Sequence, residues 1–185
     1  MNASVRAFVG LGGNLGPVAE TLRAAFAALD ALPGTRLLRA SRLYRTPAWG
    51  NEAQPDFVNA VAVLETVLRP QALLDALLAL ERDFGRERDA AGARWGPRTL
   101  DLDLLLHGDA TIDAPGLHLP HPHLHQRAFV LVPLAEIAPD ARIPNRGRVR
   151  DALAALPSAD VAAISAIDGQ ARMRSWPDQG ERAGQ

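Results

Sequence analysis

Asp101 and Asp103 stand two residues apart within Thr99-Leu100-Asp101-Leu102-Asp103-Leu104-Leu105-Leu106. Side chains alternate along a strand, so both carboxylates face one side while Leu100, Leu102 and Leu104 face the other, toward a core. Two carboxylates at that separation repel and are costly to desolvate unless they share a cation. Hard oxygen ligands of this kind suit magnesium, which takes one or two protein carboxylates and completes its octahedron with water and phosphate oxygens. The plain alternative is the solvated face of an edge strand. The neighbourhood favours the metal: Arg82, Arg86, Arg88, Arg94 and Arg98 come just before the pair, and residues 86–94 have the glycine, alanine and charge content of a mobile loop. Asp83, Glu87 and Asp89 lie among these arginines, so a salt-bridged surface loop is the competing picture. Guanidinium forks beside a carboxylate pair are nonetheless what a polyphosphate requires, with metal on the bridging oxygens and arginine on the remaining charge.

Three further groups of residues bear on chemistry. Phe57 and Asn59 share one face of a strand, an aromatic plate and a planar donor–acceptor amide suited to a flat heterocycle; a core Phe and a sheet-edge Asn are the alternative. All five histidines fall between His107 and His125, and His121, His123 and His125 alternate as zinc ligands on a strand would. Pro120 and Pro122 argue against a regular strand there, and one histidine donating to a phosphate near Arg127 is an equally good reading. The turn Gly10-x-Gly12-x-x-Leu15 lacks the third glycine of a dinucleotide fingerprint, which leaves a structural turn in which Asn14 could offer its amide to a substrate.

Composition narrows the chemistry further. The 185 residues suit one domain, 48% are apolar and 22% charged, and the net charge is −1. That balance argues against a nucleic-acid-coating or membrane-surface protein, and no apolar run nears the roughly 20 residues that span a bilayer. All 20 basic residues are arginine, so Schiff-base chemistry and the lysine of a P-loop are excluded. Cysteine is absent, which removes disulfides and thiolate chemistry and fits a cytoplasmic protein.

The elements that must hold these residues read in order. Val5 to Leu11 is a strand, followed by a turn and a helix from Pro17 with Val18, Leu22, Phe26 and Leu29 on one face. Leu37 to Thr46 and Phe57 to Thr66 read as strands, joined by a loop from Arg45 to Asp56. Pro70 opens a helix with Leu73, Leu77, Leu80 and Phe84 aligned, ended by Gly85, and Thr99 to His107 is a fourth strand. Strand, helix, strand, strand, helix, strand implies an α+β, ferredoxin-like antiparallel sheet with both helices on one face. An apolar segment at Phe129 to Ile137 and a short helix at Arg150 to Leu156 are C-terminal additions. Residues 1–168 form the expected domain and 169–185 a flexible tail.

Several motifs occur in a fixed order: Arg45-Thr46-Pro47, Gln54-Pro55-Asp56-Phe57-x-Asn59, Gly85-Arg86-x-Arg88, Arg94-Trp95-Gly96-Pro97-Arg98-Thr99-Leu100-Asp101-Leu102-Asp103, Pro120-His121 and Arg127-x-Phe129. From Val5 to about Pro144 the chain closely resembles the 6-hydroxymethyl-7,8-dihydropterin pyrophosphokinases of folate biosynthesis. The resemblance implies transfer of pyrophosphate from ATP to the pterin hydroxymethyl group, with release of AMP. It implies two magnesium ions on Asp101 and Asp103, with Arg86, Arg88 and Arg98 sharing the catalytic work. Arg86, Arg88, Trp95, Arg98, Leu104, His121 and Arg127 match the positions around ATP. Thr46, Pro47, Trp49, Phe57, Asn59, Trp95 and Phe129 match those around the pterin. Catalysis would be mainly positioning and charge stabilisation in a monomer acting on small molecules. The chain departs from the family pattern at Asp89 and Ala90, where a lysine is found, in a slightly longer loop, and at Pro122 in place of an aromatic. A metal-dependent phosphohydrolase using the same carboxylates and a ferredoxin-like RNA-binding module are the competing functions, the latter poorly served by 5% aromatics.

Overall fold

A computed structural model describes residues 3–47, 55–85, 98–167 and 172–173. The apolar opening run becomes β1 (Val5–Gly13), and Gly16, at φ 74°, turns the chain into α1 (Val18–Asp30). That helix buries Val18, Leu22, Ala25, Phe26 and Leu29, the periodic positions of its sequence. β2 (Thr35–Ala40), β3 (Leu43–Thr46) and β4 (Phe57–Thr66) follow, then α2 (Pro70–Asp83), which starts at a proline that has no amide hydrogen to lose. β5 (Asp101–His107) completes the core.

β1 lies between β4 and β5 and pairs antiparallel with both, while β2 and β3 pair with successive parts of β4. The two crossovers, through α1 and through α2, therefore give the ferredoxin-like arrangement expected from the element order. Both helices pack on one face: Leu22, Leu29, Leu73 and Leu77 join Val9, Leu11, Leu64, Leu102 and Leu104 in one core.

After β5 come a hairpin of β6 (Ile112–Ala114) and β7 (Leu117–Leu119), a 3₁₀ turn (Leu124–Gln126) and α3 (Ala128–Ile137). The segment anticipated only as apolar is thus a helix, and it supplies the second core. Val130, Leu131, Leu134 and Ile137 cover Phe8, Val61, Val63, Leu105 and Leu106 on the sheet face that α1 and α2 leave open. A small hairpin of β8 (Arg142–Ile143) and β9 (Gly147–Arg148) leads to α4 (Val149–Ala154) and α5 (Ser158–Ala162). β10 (Ser165–Ile167) then adds to β3. β11 (Arg172–Met173) pairs with Ala40 and Arg39, so a segment beyond the expected domain end at 168 belongs to the sheet. No helix among the described residues is long and apolar enough to cross a membrane.

The single strand expected over Leu37 to Thr46 is two strands, broken at Ser41 and Arg42. Ser41 N–H donates to the Val61 carbonyl at 2.9 Å, and its hydroxyl accepts from Val61 N–H at 2.9 Å. Arg42 turns outward, its N–H and Nε donating to the two carboxylate oxygens of Glu136 on α3 at 2.9 and 2.5 Å. The expected start of β5 at Thr99 moves to Asp101, because Arg98 and Thr99 pack against the end of β1. A Cβ on Gly13 would lie 2.6 Å from the Thr99 carbonyl oxygen and 3.2 Å from that of Arg98. Both obstacles are backbone and cannot swing away. Gly13→Ala should therefore cost about 2 kcal/mol or more in denaturant unfolding. Gly10→Ala, whose new methyl would meet Leu105 at an ordinary 3.6 Å, should cost much less.

Candidate active site

The register of the sheet assembles the site. Gly12 on β1 is opposite Asn59 on β4 and Asp101 on β5, and Gly10 is opposite Asp103. Paired residues project to the same side, so Asn59 and the two aspartates flank a stretch of β1 that has no side chains. This explains the failed dinucleotide pattern: the glycines leave bare strand between two functional flanks. A Cβ on Gly12 would come within 2.9 Å of Asn59 Oδ1. Phe57 lies two residues before Asn59 on the same face, and the buried Thr46 on β3 accepts a hydrogen bond from Asn59 Nδ2 at 3.0 Å.

On the other flank the electrostatics follow from burial. Asp103 is pushed up to about pH 6, first by desolvation and then by the charge of Asp101, with Arg127 and Arg98 pulling the other way and Glu81 adding to the rise. Arg98 Nη1 donates to Asp101 Oδ2 at 2.5 Å, a charge-assisted contact. Arg127, at the start of α3, lies within the field of Asp103 and stacks its guanidinium 5.6 Å from the Phe129 ring centre. His121 N–H donates to the Leu105 carbonyl at 2.9 Å, which ties the Pro120-His121 segment to β5. Burial, then Arg127 and His123, hold its imidazole down to about 4. At neutral pH it can donate a hydrogen bond and carries no charge.

Of the residues selected from sequence, Thr46, Phe57 and Asn59 thus gather on one flank and Arg98, Asp101, Asp103, His121 and Arg127 on the other. Pro47 is exposed at the end of β3. The Leu104 side chain is in the α1/α2 core, on the opposite side of β5 from the carboxylates, as alternation requires, which leaves its backbone on the edge strand as the part that could meet a nucleotide. Trp49, Arg86, Arg88 and Trp95 lie outside the described residues. Asn14, thought able to offer its amide to a substrate, is buried and uses it internally: Oδ1 accepts from Arg98 N–H at 2.9 Å and Nδ2 donates to the Pro55 carbonyl at 3.4 Å. His118 pairs with Asp113 at 2.7 Å, and His121 and His123 meet edge-on with ring centres 6.2 Å apart. Among the described residues no group of three or more His, Asp or Glu side chains is set to hold a metal ion.

Sequence reasoning missed Glu81. It is 1% exposed on α2, and its carboxylate accepts the Leu102 N–H at 2.7 Å, between the two aspartates. The signal was available: Leu73, Leu77 and Glu81 follow at helical spacing, so the buried stripe ends in a carboxylate. Such a group is retained only where it has work or partners.

A ferredoxin-like sheet carrying two half-buried carboxylates, arginines beside them and an aromatic–amide flank fits a phosphoryl-transfer class of site. Comparison with known proteins makes it specific. Residues 8–139 match the family model for 7,8-dihydro-6-hydroxymethylpterin-pyrophosphokinase (HPPK). A 2-amino-4-hydroxy-6-hydroxymethyldihydropteridine pyrophosphokinase of Pseudomonas aeruginosa is 51% identical over 152 residues, 82% of this chain and 92% of the relative. Its counterpart in Haemophilus influenzae is 46% identical over 141 residues, 76% and 86% of the two chains. Among solved structures, an HPPK-DHPS of Plasmodium falciparum superposes with a TM-score of 0.65 at 14% identity, over 83% of this chain and 43% of that one. That likeness bears on the fold alone, and this chain spans less than half of the larger protein. The chain belongs to the HPPK family, whose reaction is pyrophosphoryl transfer from ATP to hydroxymethyldihydropterin in folate biosynthesis.

The raised Asp103 has a consequence for stability. In the unfolded chain it titrates near 3.8, in the folded one near 6, so the folded protein binds the extra proton and loses stability as pH rises through that window. Without added metal, Asp103→Asn should therefore be more stable than the parent at pH 7.5, by on the order of 2 kcal/mol. The gain should vanish below about pH 4. Thermal melts of both proteins across this range check it.

Proposed function

We propose that the family's reaction is carried out on the sheet face bounded by Asn59, Gly12 and Asp101. The observation that carries this reading is Asp103, a carboxyl desolvated beside the second carboxyl of Asp101 on the same side of β5, which a solvated edge strand would not require. Its chemistry fits magnesium: two hard carboxylates on one side of a strand, one already drawing in a guanidinium and the other holding its proton toward neutrality. Asp101 and Asp103 would hold two ions, which when bound supply charge neutralisation across the triphosphate.

The side chains of this chain do the rest. Arg98 and Arg127 hold phosphate oxygens, with Arg98 exchanging its contact with Asp101 for the nucleotide. His121 donates a neutral hydrogen bond to the same group. Arg86, Arg88 and Trp95 complete the nucleotide side from the segment before β5. Phe57 and Phe129 enclose the pterin, and Asn59 reads its edge through Oδ1 because Nδ2 is held by Thr46. Thr46 and Pro47 line the pterin pocket, and by its match to the family pattern Trp49 would contribute to it. The pterin hydroxyl oxygen attacks the β-phosphorus and gives up its proton to solvent, the bond from that phosphorus to the α-phosphate oxygen breaks, and AMP departs with that oxygen. The residues act by alignment and charge stabilisation. The substrates are small molecules, and the enzyme acts on them as a cytoplasmic monomer.

Incubation with ATP, magnesium and the reduced pterin should yield AMP and the pterin diphosphate in equal amounts. AMP formed at the same rate without pterin would instead establish a phosphohydrolase. Asp101→Ala and Asp103→Ala should each lower turnover by at least about 1,000-fold with the fold intact by circular dichroism. Near-normal turnover in either variant would remove the metal assignment.

A further inference from the structure

The two flanks of the site come from segments far apart in sequence, and one buried side chain joins their approaches. Pro55 is two residues before Phe57, at the entry to β4, and Arg98 is three residues before Asp101, at the entry to β5. Asn14 lies between them at the end of β1. Its side chain bonds Arg98 N–H and the Pro55 carbonyl at once, and it is 3% exposed. Asn14 N–H and Leu15 N–H both donate to the Arg98 carbonyl, at 2.9 and 3.1 Å, so Arg98 is gripped through both of its backbone polar groups. Next to this turn, Gly13 admits the Thr99 carbonyl at a distance no Cβ would allow and the Arg98 carbonyl at a tight 3.2 Å. An amide is the side chain for this position, because one planar group must accept from one strand entry and donate to the other. Aspartate lacks the donor, and an apolar residue leaves a buried N–H and a carbonyl without partners.

We propose that Asn14 is a positioning residue that sets the pterin flank in register with the nucleotide flank. This rests on the two-flank reading above. Asn14 touches neither substrate. Its effect falls on the alignment of hydroxyl oxygen and phosphorus, which depends steeply on small displacements, whereas each substrate alone binds to one flank and tolerates a shift of that flank as a body.

The test compares binding with chemistry. Affinity for a non-hydrolysable ATP analogue with magnesium and affinity for the pterin are measured separately, and the single-turnover transfer rate is measured with both sites filled. Asn14→Ala should lower the rate at least tenfold while each affinity changes less than about threefold. Asn14→Asp keeps an acceptor for Arg98 N–H and loses only the donor to Pro55, so it serves if the alanine variant folds poorly; it should show the same pattern to a smaller extent. A rate unchanged in both variants, or a rate that falls only in step with one affinity, overturns the proposal. Failure of the underlying reading is distinguishable, because the parent protein would then bind no pterin or transfer no pyrophosphate.

Discussion

Repulsion between two carboxylates, one of them drawn out of water, organises one end of this molecule. A strand with alternating side chains cannot separate Asp101 from Asp103, so the surroundings must supply compensation. Arg98 pairs with the first and Arg127 lies within range of the second, yet desolvation, and after it the charge of Asp101, leaves Asp103 holding its proton toward neutrality. The arginines are there because β5 is entered through Arg98 and because α3 begins at Arg127, on the face its helix covers. Fold and electrostatics are in this sense one problem: the second core, built by α3 on the open sheet face, is also what carries positive charge to the acidic pair.

Much of this was legible in the chain. Periodicity in α1 and α2 and alternation in β1, β4 and β5 led to the right sheet, since these elements bury continuous faces. The Asp-x-Asp pair and the Phe57-x-Asn59 pair were legible for the same reason, as alternation fixes which residues share a side. What was hidden depended on partners distant in sequence. Nothing local shows that Ser41 would replace a ladder bond to Val61 or that Arg42 would turn to Glu136. α3 is apolar nearly all round and contains Pro133, so it has no clear helical face to read. Asn14 resembled a free turn amide because its two partners are 41 and 84 residues away.

The glycines of β1 show how a motif can mislead and still be informative. Gly10 and Gly12 fell short of a dinucleotide fingerprint and read as part of a structural turn, yet they and Gly13 lie within the strand. Their common property is the absence of a Cβ where something else must come close: Asn59 Oδ1 at Gly12, two carbonyls at Gly13. Bare backbone at the centre of the sheet separates the acidic flank from the amide flank without filling the space between them.

β5 is also the last strand of its sheet, and unpaired strand edges invite pairing with another chain. Here the outward N–H of Leu102 is taken by the Glu81 carboxylate and the outward carbonyl of Leu105 by His121 N–H. An incoming strand would find those two sites occupied, one of them by a buried carboxyl group. The contacts that hold the acidic pair and His121 in place thereby also guard the sheet against edge-to-edge self-association, so protection from aggregation and construction of the site draw on the same two hydrogen bonds.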